Sequence, residues 1–180
     1  MRKNLKMSLF RRAFDSITID GLYLEFGTYK GKSANKIAKL IYPKKLYTFD
    51  SFKGLPQKWW GGFSEGHFKV DSLPELDANV VAIVGYYENT LPLPFNQDIA
   101  FIHFDCDLYS STMTILKSLR NNIVNGTIML FDEWIIPDDK VKSEEDAFSD
   151  WVALENLNYE VILKSNDRML LKIKTKGETL

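Results

Sequence analysis

One cysteine in 180 residues excludes an internal disulfide framework, because Cys106 has no partner within the chain. A dominant charge is missing too. Lys and Arg number 23 against 24 Asp and Glu, for a formal net charge of −1. No broad positive field is available to hold a phosphate backbone, so nucleic acid is not an expected partner. No apolar run approaches the roughly 20 residues needed to cross a bilayer. The N-terminus also lacks the apolar core and small-residue cleavage site of a secretory signal. The expected setting is therefore the cytoplasm, away from membranes. Internal repeats, low-complexity tracts and linkers are absent as well. Residues 1–180 are expected to form a single domain, long enough to bury roughly two-thirds of its unfolded surface.

What the chain does contain is an alternation of two hydrophobic periods. Residues 1–20 carry Arg2, Lys3, Lys6, Arg11 and Arg12 interleaved with Leu5, Leu9, Phe10 and Phe14, the pattern of an amphipathic lead-in helix with a solvated basic face. "LYLEF" (22–26) and "LYTF" (46–49) read as strands, with helical spacing in "SANKIAKLI" between them. Residues 51–79 are rich in Gly and Pro and too long for a plain connector, which predicts a functional loop with a short helix or two over the site. "VVAIV" (80–84), "IAFIHFD" (99–105) and "TIMLF" (127–131) have the continuous apolar pattern of strands buried on both faces. "YYENTLPLPF" reads as a short helix closed by prolines. "STMTILKSLRNNI" predicts a helix over 111–123 capped by Ser110 or Ser111, and Ser143 opens a further helix over 143–157. "YEVIL" and "RMLLKIK" around "KSND" predict an antiparallel hairpin at the sheet edge. The expected fold is a three-layer α/β domain with a mostly parallel sheet.

Ligands of such sheets bind beyond the carboxyl ends of the strands, so the strand tips carry the functional information. The first strand ends in "EFGTYKGKS", where Glu25, Gly27 and Gly31 lead into a helix N-terminus suited to a carboxylate or phosphate. The second ends at Asp50, placed to accept hydrogen bonds from both hydroxyls of a ribose. A nucleoside ligand is the economical inference. The fourth and fifth strands end in Asp105 and in Asp132-Glu133, with no Lys or Arg adjacent. Three acids brought together on neighbouring strands repel unless they hold a cation or a proton. An all-oxygen donor set suits a hard divalent ion such as Mg²⁺. Asp107 is expected to cap the next helix or orient its neighbours, and Cys106 to be packing.

"LYLEFGTYKGKSA", "FDSFKGLP", "VGYYENTLP", "HFDCDLYSSTM" and "LFDEW" come in the order and spacing of the macrocin O-methyltransferase family, which this chain resembles from about residue 22 to 174. The resemblance implies a Rossmann-like class I methyltransferase fold with seven strands, the last hairpin inserting antiparallel. It implies S-adenosylmethionine as cofactor. Glu25, Gly27, Tyr29 and Gly31 would border its methionine part, and Ser33 its carboxylate. Asp50 would hold the ribose, with Ser51 and Phe52 beside it and Tyr86 near the adenine. Asp105, Asp132 and Glu133 would fall on the family's magnesium-binding acids, although Glu133 stands where those enzymes usually have a second Asp. The lysine that serves as base in catechol-type methyltransferases is replaced by Leu108.

Methyl transfer to a hydroxyl needs alignment and a deprotonated nucleophile. Asp105 and His67 are the candidate catalytic bases, His67 for a proton affinity suited to neutral pH. His67 reads first as a partly exposed loop histidine, with the base as its alternative, and His103 reads as a core one. Trp59 and Trp60 are either an aromatic wall for the acceptor or packing under the loop. The acceptor is a small molecule, with a sugar hydroxyl or a phenolic hydroxyl as alternatives. A further reading is a cofactor-binding scaffold without catalysis. Residues 1–20 could fold over the site or onto a second copy of the chain in a homodimer.

Overall fold

The computed structural model describes residues 2–92, 94, 96–138, 140–165 and 167–174, with side chains from residue 8 onward. Helix α1 (Arg2–Asp15) leads into strand β1 (Leu22–Phe26), helix α2 (Lys32–Ile41) and strand β2 (Leu46–Asp50). The long segment that follows holds a single 3₁₀ turn at Trp60–Gly62. Next come β3 (Val80–Val84), α3 (Tyr87–Thr90), β4 (Ile99–Phe104), α4 (Tyr109–Leu119) and β5 (Ile128–Phe131). Helix α5 (Glu144–Glu155) and the hairpin β6 (Asn158–Lys164) and β7 (Met169–Lys174) complete the order. The strands form one sheet ordered β3-β2-β1-β4-β5-β7-β6. β1 to β5 pair in parallel, and β7 inserts antiparallel between β5 and β6, as expected of the hairpin.

Period-two alternation sorts the central strands onto two cores. Leu24, Phe26, Ile102, Phe104, Met129 and Phe131 face α4 and α5, where they meet Ile115, Leu116, Phe148 and Trp151. Tyr23, Phe101, Leu130 and Leu170 face the other way, against Ile37 and Ile41 of α2 and Leu9 and Phe10 of α1. The lead-in helix thus belongs to an outer layer: Leu9, Phe10 and Ala13 are buried while Arg11 and Arg12 stay exposed. None of its described residues lines the cavity at the strand tips.

Three features differ from expectation. β3 was read as buried on both faces, yet it pairs only with β2, and Val81 and Val84 lie exposed at the sheet edge. Helix α4 starts two residues earlier than the serines suggest. Its N-cap is Leu108, whose side chain is buried with Leu55, Trp59 and Ile136, so apolar anchoring sets the start rather than a hydroxyl cap. Asp107 does not cap the helix; it adopts a left-handed φ of 68°, which aspartate tolerates better than most residues. At α5 the prediction holds, with Ser143 and Asp146 forming a reciprocal capping box. No helix among the described residues is long and apolar enough to cross a membrane.

Candidate active site

A cavity of about 820 Å³ opens at the carboxyl ends of β1 to β5. One side of it is the turn between β1 and α2. There Gly27 has φ 100°, and a Cβ at this position would overlap the Asp105 carbonyl at the end of β4. Only glycine lets the two strand exits approach this closely.

The same turn is organised by Asp50. Its Oδ2 accepts from the backbone N–H of Thr28 at 3.0 Å and of Tyr29 at 2.8 Å, and its Oδ1 accepts from Phe52 N–H at 2.7 Å. Tyr29 and Phe52 both have left-handed φ, 46° and 55°. Such residues cost of order 1–3 kcal/mol unless their surroundings hold them, and these charge-assisted bonds do so. Asp50 therefore uses three of its roughly four acceptor positions within the protein. That leaves capacity for one ribose hydroxyl, where the sequence suggested two.

Beneath the turn lies a fully buried polar chain. Thr48 Oγ1 donates to Glu25 Oε2 at 2.7 Å, so Thr28 Oγ1 is the donor in its 2.6 Å bond to Thr48. His103 Nδ1 lies 3.1 Å from Glu25 Oε1, and its ring meets Phe10 of α1 edge to face. Glu25 is thus a brace under the β1–α2 turn and not a wall of the cavity, which corrects its assignment to cofactor contact.

The other side is acidic. Asp105, Asp107 and Glu133 line the cavity, while Asp132 lies behind them and accepts from Arg168 Nε at 2.6 Å. Glu144, at the start of α5, is wholly buried. Its Oε2 is 3.4 Å from Glu133 N–H, and Cys106 Sγ lies 3.6 Å from its Oε1. Burial, reinforced by the neighbouring carboxylates, pushes Glu133 up to about 7 and Glu144 up to about 8. The same causes, burial first, hold Asp107 well above the usual carboxylate range. Repulsion is therefore relieved by the Arg168 guanidinium and by retained protons. Among the described residues no group of three or more His, Cys, Asp or Glu is placed to hold a metal ion. With Asp132 given to Arg168, the three-acid Mg²⁺ set does not fit as the side chains stand.

The third part of the wall is aromatic. Trp59, Trp60, Phe63 and Phe68 from the long loop, with Tyr29, border the cavity and pack on one another. Packing and cavity lining coincide at the tryptophans: Trp59 is buried in a small core, with Trp60 packed against it, and both border the cavity. His67 is exposed and absent from the wall, its ring spent on Phe63 and Phe68 at 4.7 and 4.5 Å, so it is displaced as a candidate base. Of the expected cofactor residues, Gly27, Tyr29, Ser33, Asp50, Ser51, Tyr86 and Asp105 line the cavity. Gly31 and Phe52 do not: Gly31 is the α2 N-cap, set against Leu76, and Phe52 turns into the protein. Arg168, Glu144 and three lysines of the wall, Lys30, Lys32 and Lys36, went unnoticed in the sequence. An arginine opening an otherwise apolar strand was the one available signal.

The sheet order, the antiparallel last strand and the cavity at the strand tips define the class I methyltransferase fold. A family model described as methyltransferase domain matches residues 24–134, and the chain belongs to that family. No curated protein matches the chain. Among solved structures it is similar to CalS11, a calicheamicin methyltransferase, at 23% identity and TM-score 0.73, covering 96% of this chain and 79% of that one. It is also similar to the O-methyltransferase NovP, at 21% identity and TM-score 0.68, covering 95% and 78%. The O-methyltransferase TomG from Streptomyces achromogenes, solved in complex with S-adenosylmethionine, follows at 14% identity and TM-score 0.55, covering 94% and 79%.

Proposed function

We propose that this chain is an S-adenosylmethionine-dependent O-methyltransferase acting on a hydroxyl of a sugar or sugar-containing small molecule, akin to the macrocin O-methyltransferases. The observation that carries the proposal is one cavity bounded by the Gly27–Asp50 turn, the Asp105 tip and an aromatic wall. The residues fit the cofactor: Gly27 keeps the turn free of side-chain bulk, and Asp50 retains an acceptor position for a ribose hydroxyl. S-adenosylmethionine, when bound, supplies a methyl group on a positively charged sulfur that leaves as a neutral thioether.

The chain's own residues align the acceptor and take its proton. Trp59, Trp60 and Phe63 offer flat apolar faces to a sugar ring and exclude water from it. Asp105 accepts the hydroxyl proton as the O–CH₃ bond forms. The aromatic wall suits a phenolic ring too, which keeps a phenol acceptor as the second reading. Mg²⁺ would require Asp132 to exchange Arg168 for the ion, so no step is assigned to it.

The test is transfer of labelled methyl from S-adenosylmethionine to a panel of glycosides and phenols. Wild-type turnover on glycosides is expected, with Asp105→Asn losing turnover while still binding cofactor. A cofactor-binding protein that methylates no member of the panel would favour the scaffold reading.

A further inference from the structure

Because β7 runs against its neighbour β5, its first residues lie at the end of the sheet where the parallel strands finish. The pairing sets Met169 of β7 opposite Phe131 of β5, so the next residues outward, Arg168 and Asp132, stand opposite one another. Backbone bonds pin both approaches: Trp134 N–H donates to the Asp167 carbonyl at 2.8 Å, and Ser165 N–H to the Arg168 carbonyl at 2.9 Å. The side chains meet with Arg168 Nε donating to Asp132 Oδ1 at 2.6 Å, and they are only 11% and 9% exposed. Asp167 Oδ2 lies 3.8 Å from Arg168 Nη1. On its other side, Asp132 N–H donates to the Phe104 carbonyl at 3.0 Å, which ties the ion pair to the strand exit that carries Asp105.

The acids at the β4 and β5 tips call for a cation, and the fold delivers one. A guanidinium stays charged at any pH at which the protein folds. A divalent ion that used Asp132 would have to displace a tethered, largely buried cation and part it from its nearer carboxylate, a costly exchange in a buried setting. Mg²⁺ would also have to shed water and find near-octahedral oxygen geometry there.

We propose that Arg168 takes the place of a divalent ion in this chain: it is the built-in counter-cation of the strand-tip acids, and methyl transfer proceeds without a metal. The part concerning transfer rests on the methyltransferase reading above. Neither Arg168 nor Asp132 lines the cavity. Arg168 is therefore a positioning residue, holding Asp132 behind the wall while Asp105 faces the cavity. The step balances without an ion. The acceptor oxygen gains the methyl group and gives its proton to Asp105, and the sulfonium charge is lost as the neutral thioether leaves.

The test is titration of the EDTA-treated protein with Mn²⁺, an ion suited to carboxylate donors, followed by electron paramagnetic resonance. Beside it, labelled methyl transfer is compared in EDTA and in Mg²⁺. The wild type is expected to show no saturation at millimolar Mn²⁺ and equal turnover in the two buffers. Arg168→Met, with circular dichroism confirming its fold, releases Asp132 and is expected to bind Mn²⁺ at least about tenfold more tightly than the wild type. Arg168→Lys keeps a cation beside Asp132 and is expected to behave as the wild type does. The proposal is overturned if the wild type binds Mn²⁺ as tightly as folded Arg168→Met, if neither binds it, or if Arg168→Lys gains as much as Arg168→Met. It is equally overturned if wild-type turnover falls in EDTA and returns with Mg²⁺. Should Arg168→Met fail to fold, saturable Mn²⁺ binding by the wild type overturns the proposal and its absence upholds it. Mn²⁺ excluded by the wild type and admitted by Arg168→Met, with no S-adenosylmethionine bound by either, would leave Arg168 as the counter-cation and sink the methyltransferase reading.

Discussion

Replacing Glu144 by Gln should stabilise the protein, by an amount that depends on pH. Glu144 is fully buried behind the acidic wall, and burial, with Asp105 and Asp132 adding to it, raises its proton affinity from 4.5 to about 8. In the folded state it therefore keeps a proton that the unfolded chain releases near pH 4.5. An acid whose folded value is raised costs stability as pH climbs from the unfolded value to the folded one, and the loss then levels off. At roughly 1.4 kcal/mol per pH unit, the penalty is on the order of 3 kcal/mol at pH 7 and under about 1 kcal/mol at pH 5. Glutamine has the shape of the protonated acid and never ionises, so the variant escapes this loss. Thermal melting in EDTA-containing buffers at pH 5, 6, 7 and 8 is the assay. A chain of this length should show a gain in Tm of about 5–10 °C at pH 7 that shrinks toward zero at pH 5. A gain independent of pH, or destabilisation at pH 8, would refute the reasoning, because Glu144 would then be ionised and usefully paired.

Other substitutions probe separate parts of the site. Gly27→Ala places a methyl group against the Asp105 carbonyl at a φ of 100°; a stability loss above about 2 kcal/mol by urea unfolding is expected, together with loss of cofactor binding, and tolerance would mean the strand exits are not closely packed. Asp132→Ala removes the nearer of the two carboxylates paired with the largely buried Arg168 guanidinium, leaving Asp167 at 3.8 Å, and should cost about 3 kcal/mol. The double change Asp132→Ala/Arg168→Met should recover part of that loss, and no recovery would show that the pair is not the reason.

Much of the fold was legible because long apolar runs and glycine punctuation leave little choice. β1, β2, β4 and β5 fall where the runs do, and the hairpin follows from "KSND" between two apolar segments. What the sequence hides is which strand becomes an edge: "VVAIV" reads like a central strand, but its position beside β2 alone exposes Val81 and Val84. In the site, residues that line the cavity from their own strand tip were singled out from sequence, namely Gly27, Asp50, Asp105 and Glu133. Residues that act through distant pairing were not. Asp132 looked like a free acid because Arg168 lies 36 positions away. Glu25 looked like a ligand contact because its partners, Thr48 and His103, come from two other strands. His67 was a candidate base for its chemistry, yet the aromatic packing it makes with Phe63 and Phe68 is tertiary and has no local signature.

The most direct test of the account is calorimetric titration of the wild-type protein and of Asp50→Ala with S-adenosylmethionine. The account predicts micromolar binding by the wild type, about −8 kcal/mol, and affinity weakened at least about tenfold in the variant, whose turn has lost the carboxylate that holds Thr28, Tyr29 and Phe52. Equal binding by the two proteins would contradict the placement of the cofactor at this turn, and no binding by the wild type would contradict the cofactor itself.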